Sequence, residues 1–232
     1  LAGLGARNFV LTGSRGVVTN RARRLVRTLT AMGCHVDARK MDVGSLEDVQ
    51  RAFAEATPRI CGVFHLATVY EDALVRNLTP ERVEHGMHAK AIGASNLDRA
   101  SETCPLDFMV YFTSIGAIPG NPGQSIYNAG NMYCETLSRR RNAEGKPTLS
   151  LGIPAIAGAG ALAWFDSRDV IKQLNNRGLV MGMAPRQAIF AILEELLPRL
   201  PSKALPPAVI VNNTPWEYTW CQNLSIFAHL YK

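Results

Sequence analysis

The chain has 232 residues, of which 47% are apolar and 19% are charged, and its formal net charge is +6. This length and composition suffice for one sizeable hydrophobic core, with at most a small appendage. No run of about 18 apolar residues occurs, and the first residues lack the layout of a secretory signal, so neither a membrane span nor export is indicated. We therefore expect a soluble, cytoplasmic protein without a membrane partner.

Basic residues and cysteines, taken together, indicate neither nucleic-acid binding nor a metal site. The densest basic group, Arg139 to Arg141, falls on a predicted helix, where a solvated basic face explains it equally well. The five cysteines are far apart and never form a C-x-x-C pair, which argues against a disulfide framework or a zinc site. We expect no nucleic-acid partner and no metal, although a basic surface would suit an acidic docking partner.

Short β-rich apolar runs alternate with longer segments of helical period. The predicted strands are Asn8–Thr12, Cys34–Ala38, Gly62–His65, Phe108–Phe112 and Leu149–Ile153, and the predicted helices are Asn20–Met32, Leu46–Ala56, Pro80–Ser101 and Ser125–Glu144. This alternation is typical of a doubly wound α/β fold, a Rossmann-like parallel sheet covered by helices. Ligands of such sheets bind beyond the carboxyl ends of the strands, so the residues that follow each strand are the candidates for chemistry.

The last part of the chain has a different composition. A helix is predicted over about Pro185–Leu197, and it is followed by several prolines, a short apolar run at Ala208–Val211 and an aromatic tail. We interpret residues 1–205 as one main domain and residues 206–232 as a final strand and an exit segment.

The segment after the first predicted strand is an incomplete nucleotide-binding glycine loop. Gly13 and Gly16 follow the strand, but residues 17–19 are Val, Val and Thr, where further glycines would let the backbone approach a pyrophosphate. A second interpretation fits better: Asn8–Thr12 is the second strand of the fold, and the first strand with its glycine-rich loop lies upstream of residue 1. The domain would then be truncated at its N-terminus.

Ser14 and Arg15 acquire a role under this second interpretation. They would lie at the end of strand two, beside the adenosine ribose of a dinucleotide, where an arginine can pair with a 2′-phosphate. That position favours NADPH over NADH. A solvent-exposed turn without a ligand is the alternative.

A serine, a tyrosine and an asparagine have a spacing that can bring them into one site. Tyr127 and Asn131 are four residues apart on a predicted helix, so they share a face. Ser114 follows the strand Phe108–Phe112, and the turn-rich segment between the serine and the tyrosine can bring the two together. A capping serine and an ordinary amphipathic tyrosine would produce the same spacing by chance.

Lys90 falls within the apolar stripe of the predicted helix Pro80–Ser101 rather than on its polar face. An inward lysine costs desolvation energy unless it meets an acceptor or projects into a cleft. Beside a tyrosine, a cation favours the phenolate, as a general acid working near neutral pH requires. A lysine that snorkels from the helix edge is the alternative.

Five segments carry a resemblance to a known family: His65–Thr79, Lys90–Ala94, Pro105–Phe108, Phe112–Ser114 and Asn121–Asn131. They closely resemble ketoreductase domains of modular, type I polyketide synthases and of animal-type fatty acid synthases, within the short-chain dehydrogenase/reductase superfamily. The similarity runs over about residues 1–200, so residues 1–205 would be the catalytic domain. Most of the superfamily has a lysine four residues after the tyrosine. These ketoreductases have an asparagine there and supply the lysine from an earlier helix, as Asn131 and Lys90 do here.

The resemblance implies a role for each member of the candidate catalytic set. Tyr127 would protonate the ketone oxygen as a hydride arrives from the nicotinamide, and Ser114 would hydrogen-bond to the same oxygen. Lys90 would favour the tyrosine phenolate and contact the nicotinamide ribose. Asn131 would hold the relay that resupplies the proton.

The resemblance also places a set of residues beside the cofactor and the substrate. The set is Asp42 and Val43 on the adenine side, His65, Leu66 and Ala67 in the loop after the strand Gly62–His65, and Ile153, Pro154 and Ala155 beside the nicotinamide. A mobile lid over the substrate would span about residues 158–179.

One departure from the family pattern bears on stereochemistry. Tyr70-Glu71-Asp72 stands where many of these domains have Leu-Asp-Asp, and no tryptophan occurs between Ile115 and Ile126. This combination resembles the type that yields a D-configured β-hydroxyl, with Asp72 and Gln124 as the stereocontrol candidates.

The resemblance therefore implies NADPH-dependent reduction of a β-ketoacyl thioester. The partners would be an acyl carrier protein, which presents the substrate on a phosphopantetheine arm, and the neighbouring domains of a synthase. Two alternatives remain: a non-catalytic structural domain of a synthase, and a ketoreductase of the fatty-acid-synthase type. A sugar-nucleotide epimerase would ordinarily need a lysine at Asn131.

Overall fold

Parallel strands and intervening helices make up the chain. The computed structural model describes residues 1–118, 120, 122–156, 183–184, 186–202 and 206–211. The strands are β1 (Asn8–Gly13), β2 (His35–Lys40), β3 (Gly62–His65), β4 (Phe108–Ser114), β5 (Thr148–Ile153), β6 (Ala155–Ile156), β7 (Met183–Ala184) and β8 (Ala208–Ile210). The helices are α1 (Asn20–Ala31), α2 (Leu46–Glu55), α3 (Pro80–Met87), α4 (Gly93–Ala100), α5 (Ser125–Ala143) and α6 (Arg186–Leu196). None of these helices is long and apolar enough to cross a membrane.

The strands form separate hydrogen-bonded groups, and every pairing is parallel. β1 pairs with β2, β6 pairs with β7, and β3, β4, β5 and β8 form a four-stranded sheet in that order. Among the described residues, no hydrogen-bonded pairing joins β1 or β2 to the four-stranded sheet. The predicted Rossmann-like α/β fold is confirmed.

Side-chain caps and glycines determine where several helices begin and end. Thr19, Ser45 and Thr79 precede α1, α2 and α3, and each side-chain oxygen accepts a hydrogen bond from the backbone N–H three residues further on. Such a cap is worth about 1 kcal/mol. Gly33 and Gly145 follow α1 and α5 with φ of 78° and 80°, a conformation that ends a helix and favours glycine. The predicted starts of these helices therefore agree with the structure.

The prediction of one regular helix over Pro80–Ser101 was wrong in its middle. The segment consists of α3, a π-helical turn over His88–Ile92, and α4. A π-helical turn widens the helix by one residue, which shifts the faces that precede and follow it. Apolar periodicity does not reveal such a turn, because both flanking segments keep an ordinary helical pattern.

Buried apolar side chains cover both faces of the four-stranded sheet. Successive residues of β4 point to opposite faces: Met109 and Tyr111 pack with α2, α4 and α5, whereas Val110 packs with β5 and α6. Leu149 and Leu151 of β5 join Val110 in this second cluster. β4 is therefore covered on both sides, and its carboxyl end, which carries Ser114, is held rigidly.

A buried ion pair joins α4 to α5. The Asp98 carboxylate, whose side chain is 7% exposed, accepts hydrogen bonds from Arg140 and from Arg141, which is 2% exposed. Arg141 also donates to Ser101 Oγ at 3.0 Å and to Thr148 Oγ1 at 2.8 Å. The interpretation of these arginines as a solvated basic face was therefore wrong for Arg141, which is a buried structural residue.

Gly93 starts α4 against the loop that follows β2. A Cβ at this position would lie 2.8 Å from Val43 Cγ1 and 3.3 Å from His65 Cε1. We expect Gly93→Ala to lower the free energy of unfolding by about 1–3 kcal/mol, because overpacking outweighs a gain of about 1 kcal/mol in helix propensity. Urea denaturation measures the change. Gly3→Ala, which adds a methyl group in open space, is the control, and an unchanged stability of Gly93→Ala would contradict the prediction.

Candidate active site

The candidate residues gather at the carboxyl ends of the parallel strands. The groups are Ser14 and Arg15 after β1, Asp42 and Val43 after β2, His65 at the end of β3 with Leu66 and Ala67 following it, Ser114 at the end of β4, and Pro154 after β5. Carboxyl ends of parallel strands share one edge of a sheet. In the four-stranded sheet, His65, Ser114 and Pro154 therefore lie at one edge. In the β1–β2 pair, Ser14, Arg15 and Asp42 lie at the corresponding edge.

Helix α5 carries Tyr127 and Asn131 one turn apart on the same face. Asn131 is buried, and its Nδ2 donates a hydrogen bond to the backbone oxygen of Tyr127 at 2.8 Å. Tyr127 is only half-buried. The asparagine side chain thus lies directly behind the tyrosine, while the phenol group remains within reach of a ligand.

Lys90 lies within the π-helical turn, and its side chain points into the protein. Its side chain is 5% exposed, and Nζ donates to the backbone oxygen of Phe112 at 2.9 Å, near the end of β4. Burial lowers the pKa of Lys90, because desolvation disfavours the ammonium. A Cβ on Gly130 of α5 would lie 3.1 Å from Lys90 Cγ, so the lysine stem passes directly over this glycine. The lysine therefore points inward, as the apolar stripe predicts, and does not snorkel along the surface.

The backbone oxygen of Lys90 accepts contacts from two other elements. His65 Nε2 lies 3.1 Å from it, and Cys134 Sγ of α5 lies 3.6 Å from it. Burial, with the positive charge of Lys90, lowers the pKa of His65 to about 3, so the imidazole is neutral and its Nε2 carries the proton that faces the carbonyl. Burial raises the pKa of Cys134 to about 11, so the thiol stays protonated. The buried ring of His65 thus holds the turn that contains Lys90.

Ser114 caps the short helical turn that follows β4, as one interpretation of its position predicts. Its Oγ accepts a hydrogen bond from the backbone N–H of Gly116 at 3.1 Å and begins a short 3₁₀ turn over Ile115–Ala117. A hydroxyl group has one donor and two acceptor positions. Because the cap uses one acceptor position, the O–H can still donate to a ligand oxygen.

Tyr70 packs against Tyr127, a contact that the sequence did not reveal. The two rings are stacked, with centroids 5.3 Å apart and an interplanar angle of 20°. Burial raises the pKa of Tyr70 to about 12, and the phenol of Tyr127 and the carboxylate of Asp72 add to this effect. The sequence offered one indication of this contact: Tyr70 is an aromatic residue at a position where the family often has leucine.

Two polar contacts fasten the Tyr70 loop to the start of α5. Gln124 Nε2 donates to Asp72 Oδ2 at 3.0 Å, and the backbone N–H of Ala73 donates to the oxygen of Gly123 at 2.8 Å. The two residues predicted to control stereochemistry, Asp72 and Gln124, therefore meet directly beside the helix that carries Tyr127.

Asp42, predicted to lie on the adenine side, is hydrogen-bonded to His88 of the π-helical turn. The Asp42 Oδ2 to His88 Nε2 distance is 2.9 Å, and the backbone N–H of Gly44 donates to Oδ1 at 2.9 Å. The hydrogen bond from His88 lowers the pKa of Asp42. The carboxylate is 48% exposed, so it retains acceptor capacity for another donor. The oxygen of Val43 accepts from Asn96 Nδ2 at 3.0 Å, which ties this loop to α4.

Two exposed cations lie at the ends of neighbouring strands. Arg15 follows β1 and Lys40 ends β2, and both side chains are exposed. Gly16, with φ of 66°, lets the turn after β1 lie against Lys40, whose Cβ is 3.5 Å from a Cβ built on the glycine. The side chains here fit a nicotinamide dinucleotide: the cations can pair with phosphate groups, the Asp42 carboxylate can accept from an amino group, and Lys90 can donate to hydroxyl groups.

Two further sequence-based expectations concern a lid and metal or disulfide sites. The predicted lid, about residues 158–179, lies outside the described residues. Among the residues that the structure describes, no group of three or more His, Cys, Asp or Glu side chains could hold a metal ion. Within the same part of the chain, the free thiols are Cys34, Cys61, Cys104 and Cys134.

Comparisons of sequence identify the family. Residues 1–158 match the KR domain family. The chain is 33% identical over 178 residues to Reducing polyketide synthase DEP5 of Alternaria brassicicola, which covers 75% of this chain and 8% of that protein. It is also 33% identical over 190 residues to Phenolphthiocerol synthesis polyketide synthase type I Pks15/1 of Mycobacterium marinum, which covers 80% of this chain and 9% of that synthase. The chain thus spans less than a tenth of either synthase.

Solved ketoreductase structures have the same fold. An A1-type ketoreductase is 26% identical with a TM-score of 0.82, and the match covers 93% of this chain and 44% of that one. The first ketoreductase of the tylosin PKS is 29% identical with a TM-score of 0.75, covering 94% and 45%. Ketoreductases of this superfamily use a nicotinamide cofactor. The chain belongs to the KR domain family, the ketoreductases of polyketide synthases, which are oxidoreductases of the short-chain dehydrogenase/reductase type.

Proposed function

We propose that the chain reduces the β-ketone of a β-ketoacyl thioester carried by an acyl carrier protein, with NADPH as the reductant. The observation that supports the proposal is the position of Lys90 between the end of β4 and α5. Ser114 ends β4, and Lys90 Nζ donates to the backbone oxygen of Phe112, two residues before Ser114. The stem of Lys90 passes over Gly130 of α5, the helix that carries Tyr127 and Asn131. These are the residue types that ketone protonation requires.

Ketone protonation gives a separate role to each of the four side chains of Ser114, Lys90, Tyr127 and Asn131. A reduced nicotinamide, when bound, supplies a hydride to the carbonyl carbon. Tyr127 transfers its phenolic proton to the ketone oxygen, and the Ser114 hydroxyl donates a hydrogen bond to that oxygen as negative charge develops there. Lys90 has three N–H donors, of which one binds Phe112. The other two can bind the Tyr127 oxygen and a ribose hydroxyl, and Asn131 holds the backbone behind the tyrosine.

The choice of NADPH over NADH rests on Arg15, supported by Lys40 beside it. We expect Arg15→Ala to raise the KM for NADPH about tenfold and to leave the KM for NADH unchanged, because one charge-assisted contact to a 2′-phosphate is lost. Steady-state kinetics with both dinucleotides measure the difference. Arg24→Ala, which removes an exposed arginine from α1, is the matched control. An equal effect of Arg15→Ala on both dinucleotides would contradict the assignment.

The configuration of the product is proposed to be D at the new hydroxyl. The sequence pattern supports this: Tyr70-Glu71-Asp72 stands where many of these domains have Leu-Asp-Asp, and no tryptophan occurs between Ile115 and Ile126. The hydrogen bond between Asp72 and Gln124 lies at the start of α5. Chiral chromatography of the β-hydroxy product measures the configuration. A product that is mainly L would refute this part of the proposal.

The decisive experiment follows NADPH oxidation by the full-length protein with a β-keto thioester as substrate. Turnover that depends on the thioester supports a ketoreductase. A second candidate is a non-catalytic domain that organises a synthase. The feature that raises it is the incomplete glycine loop at Gly13 and Gly16, which lacks the glycines that a pyrophosphate site needs. Isothermal titration separates the two: a protein that neither binds NADPH nor oxidises it is the structural domain.

A further inference from the structure

The loop between β2 and α2 is held by neighbouring helices. The backbone N–H of Asp42 donates to Asp48 Oδ2 of α2 at 3.0 Å, and the backbone oxygen of Val43 accepts from Asn96 Nδ2 of α4 at 3.0 Å. Asn96 is buried, and the Val43 side chain packs against Gly93, the first residue of α4. These contacts hold the main chain of the loop, and none of them involves the Asp42 carboxylate.

The Asp42 carboxylate itself is held by the π-helical turn. His88 Nε2 lies 2.9 Å from Oδ2 and 3.1 Å from Oδ1, and the imidazole donates because a carboxylate only accepts hydrogen bonds. The backbone N–H of Gly44 donates to Oδ1 at 2.9 Å. Both carboxylate oxygens are thus fixed in one orientation. The carboxylate is 48% exposed, so it keeps acceptor positions for a further donor.

Gly44 leaves the space that the His88 ring occupies. A Cβ on Gly44 would lie 2.1 Å from His88 Nε2 and 2.4 Å from Cδ2, which is closer than van der Waals contact allows. The ring is the far end of a flexible side chain, so an alanine at this position would displace the ring and not the backbone. The hydrogen bond between His88 and Asp42 therefore depends on the absence of a side chain at residue 44.

The pair lies where ligands of a parallel sheet bind. His88 and Asp42 are 39% and 48% exposed, and an interaction between groups this exposed adds little to the stability of a fold. Asp42 follows the carboxyl end of β2, and Arg15 follows the carboxyl end of the neighbouring strand β1. Ligands of parallel sheets bind beyond these ends. A carboxylate that is already oriented at such an edge loses less conformational freedom when it meets a donor on a ligand.

We propose that His88 is a positioning residue for Asp42: its Nε2–H holds the carboxylate in the orientation in which that carboxylate accepts a hydrogen bond from the adenine amino group of the cofactor. The inference rests on the proposed use of NADPH. His88 acts through Asp42, so its effect should appear only with a dinucleotide whose base carries this amino group. The property that the pair determines is the preference for a 6-aminopurine over a 6-oxopurine.

Isothermal titration with two dinucleotides measures this preference in the full-length protein. The probes are NADPH and its reduced hypoxanthine analogue, in which an oxygen atom replaces the amino group. We expect the unsubstituted protein to bind NADPH about tenfold more tightly, because the analogue offers no amino group to Asp42. His88→Phe keeps a ring and removes the donor. It should lower the preference to about twofold, while the Kd of the analogue changes little.

Two further variants test whether the N–H of His88 is responsible. His88→Gln keeps an N–H donor and should retain most of the preference for NADPH. His85→Phe makes the same change as His88→Phe at an exposed histidine of α3, which pairs with Glu71, and should leave both Kd values unchanged. A general loss of structure would weaken the binding of both dinucleotides. The ratio of the two Kd values therefore distinguishes positioning from a structural role.

Gly44→Ala moves the His88 ring without changing either member of the pair. It should lower the preference for NADPH as His88→Phe does. The double variant should show no further loss, because both changes break the same hydrogen bond. Gly3→Ala, which adds a methyl group in open space, is the matched control.

Three results would overturn the inference. The unsubstituted protein binds NADPH and the hypoxanthine analogue equally, or His88→Phe keeps the full preference, or His88→Phe weakens the binding of both dinucleotides by the same factor. NADPH still binds in each of these cases, so the proposed cofactor stands. If the unsubstituted protein binds neither dinucleotide, the proposed function fails, and the inference that rests on it fails as well.

Discussion

Replacement of Tyr127 by phenylalanine is expected to remove nearly all ketone reduction. The variant keeps the ring that stacks on Tyr70 but loses the phenolic proton that the ketone oxygen receives. General acid catalysis contributes about 10²- to 10⁴-fold, so kcat should fall by that factor while the KM for the thioester changes little. NADPH oxidation by the full-length protein, with a β-keto thioester, measures the loss.

A matched control shows whether this loss comes from chemistry. Tyr133→Phe makes the same change six residues further along α5, on an exposed side chain, and should keep full activity. Isothermal titration with NADPH should show that Tyr127→Phe binds the cofactor as the unsubstituted protein does. Undiminished turnover of Tyr127→Phe would rule out the mechanism proposed for this site.

Loss of the Asp98 carboxylate is expected to have the largest effect on stability. Asp98→Ala would leave the charge of Arg141 buried without its partner, since that arginine is 2% exposed and Asp98 is its ion-pair partner. Removing one member of a buried ion pair costs about 3–5 kcal/mol. Urea denaturation, followed by circular dichroism, measures the free energy of unfolding of both proteins.

An exposed ion pair of this chain provides the comparison. Glu195 and Arg199 of the α6 region lie 3.2 Å apart, with side chains that are more than half exposed. Glu195→Ala should cost less than about 1 kcal/mol, because solvent screens such pairs. If Asp98→Ala is no more destabilising than Glu195→Ala, then Arg141 finds another partner or water, and the α4–α5 pair is not a major contribution to the fold.

Local patterns in the sequence were sufficient to predict the elements and the edge that carries the site. The predicted strand Gly62–His65 coincides with β3. The predicted first residues of three helices, Asn20, Leu46 and Ser125, are also the first residues of α1, α2 and α5 in the structure. The reason is that apolar periodicity and capping residues are read over a few neighbouring positions. The shared helix face of Tyr127 and Asn131 could be predicted for the same reason, because the two residues are only four positions apart.

Contacts between distant segments could not be predicted in this way. His88 and Asp42 are 46 positions apart in the sequence, and Tyr70 and Tyr127 are 57 positions apart. A pattern of neighbouring residues therefore predicts neither contact. Arg139 pairs with Glu135 of its own helix, whereas Arg140 and Arg141 both pair with Asp98 of another helix, and of these three arginines Arg141 alone is buried. The resemblance to a family indicated the candidate site residues, whereas the contacts of those residues came from tertiary packing.

The π-helical turn has a consequence for substitutions at Lys90. His65 and Cys134 contact the backbone oxygen of Lys90, whereas its side-chain Nζ donates to the backbone oxygen of Phe112. The two backbone contacts do not depend on which side chain residue 90 carries. A shorter side chain at this position therefore removes the contact to β4 and leaves the other two anchors of the turn in place.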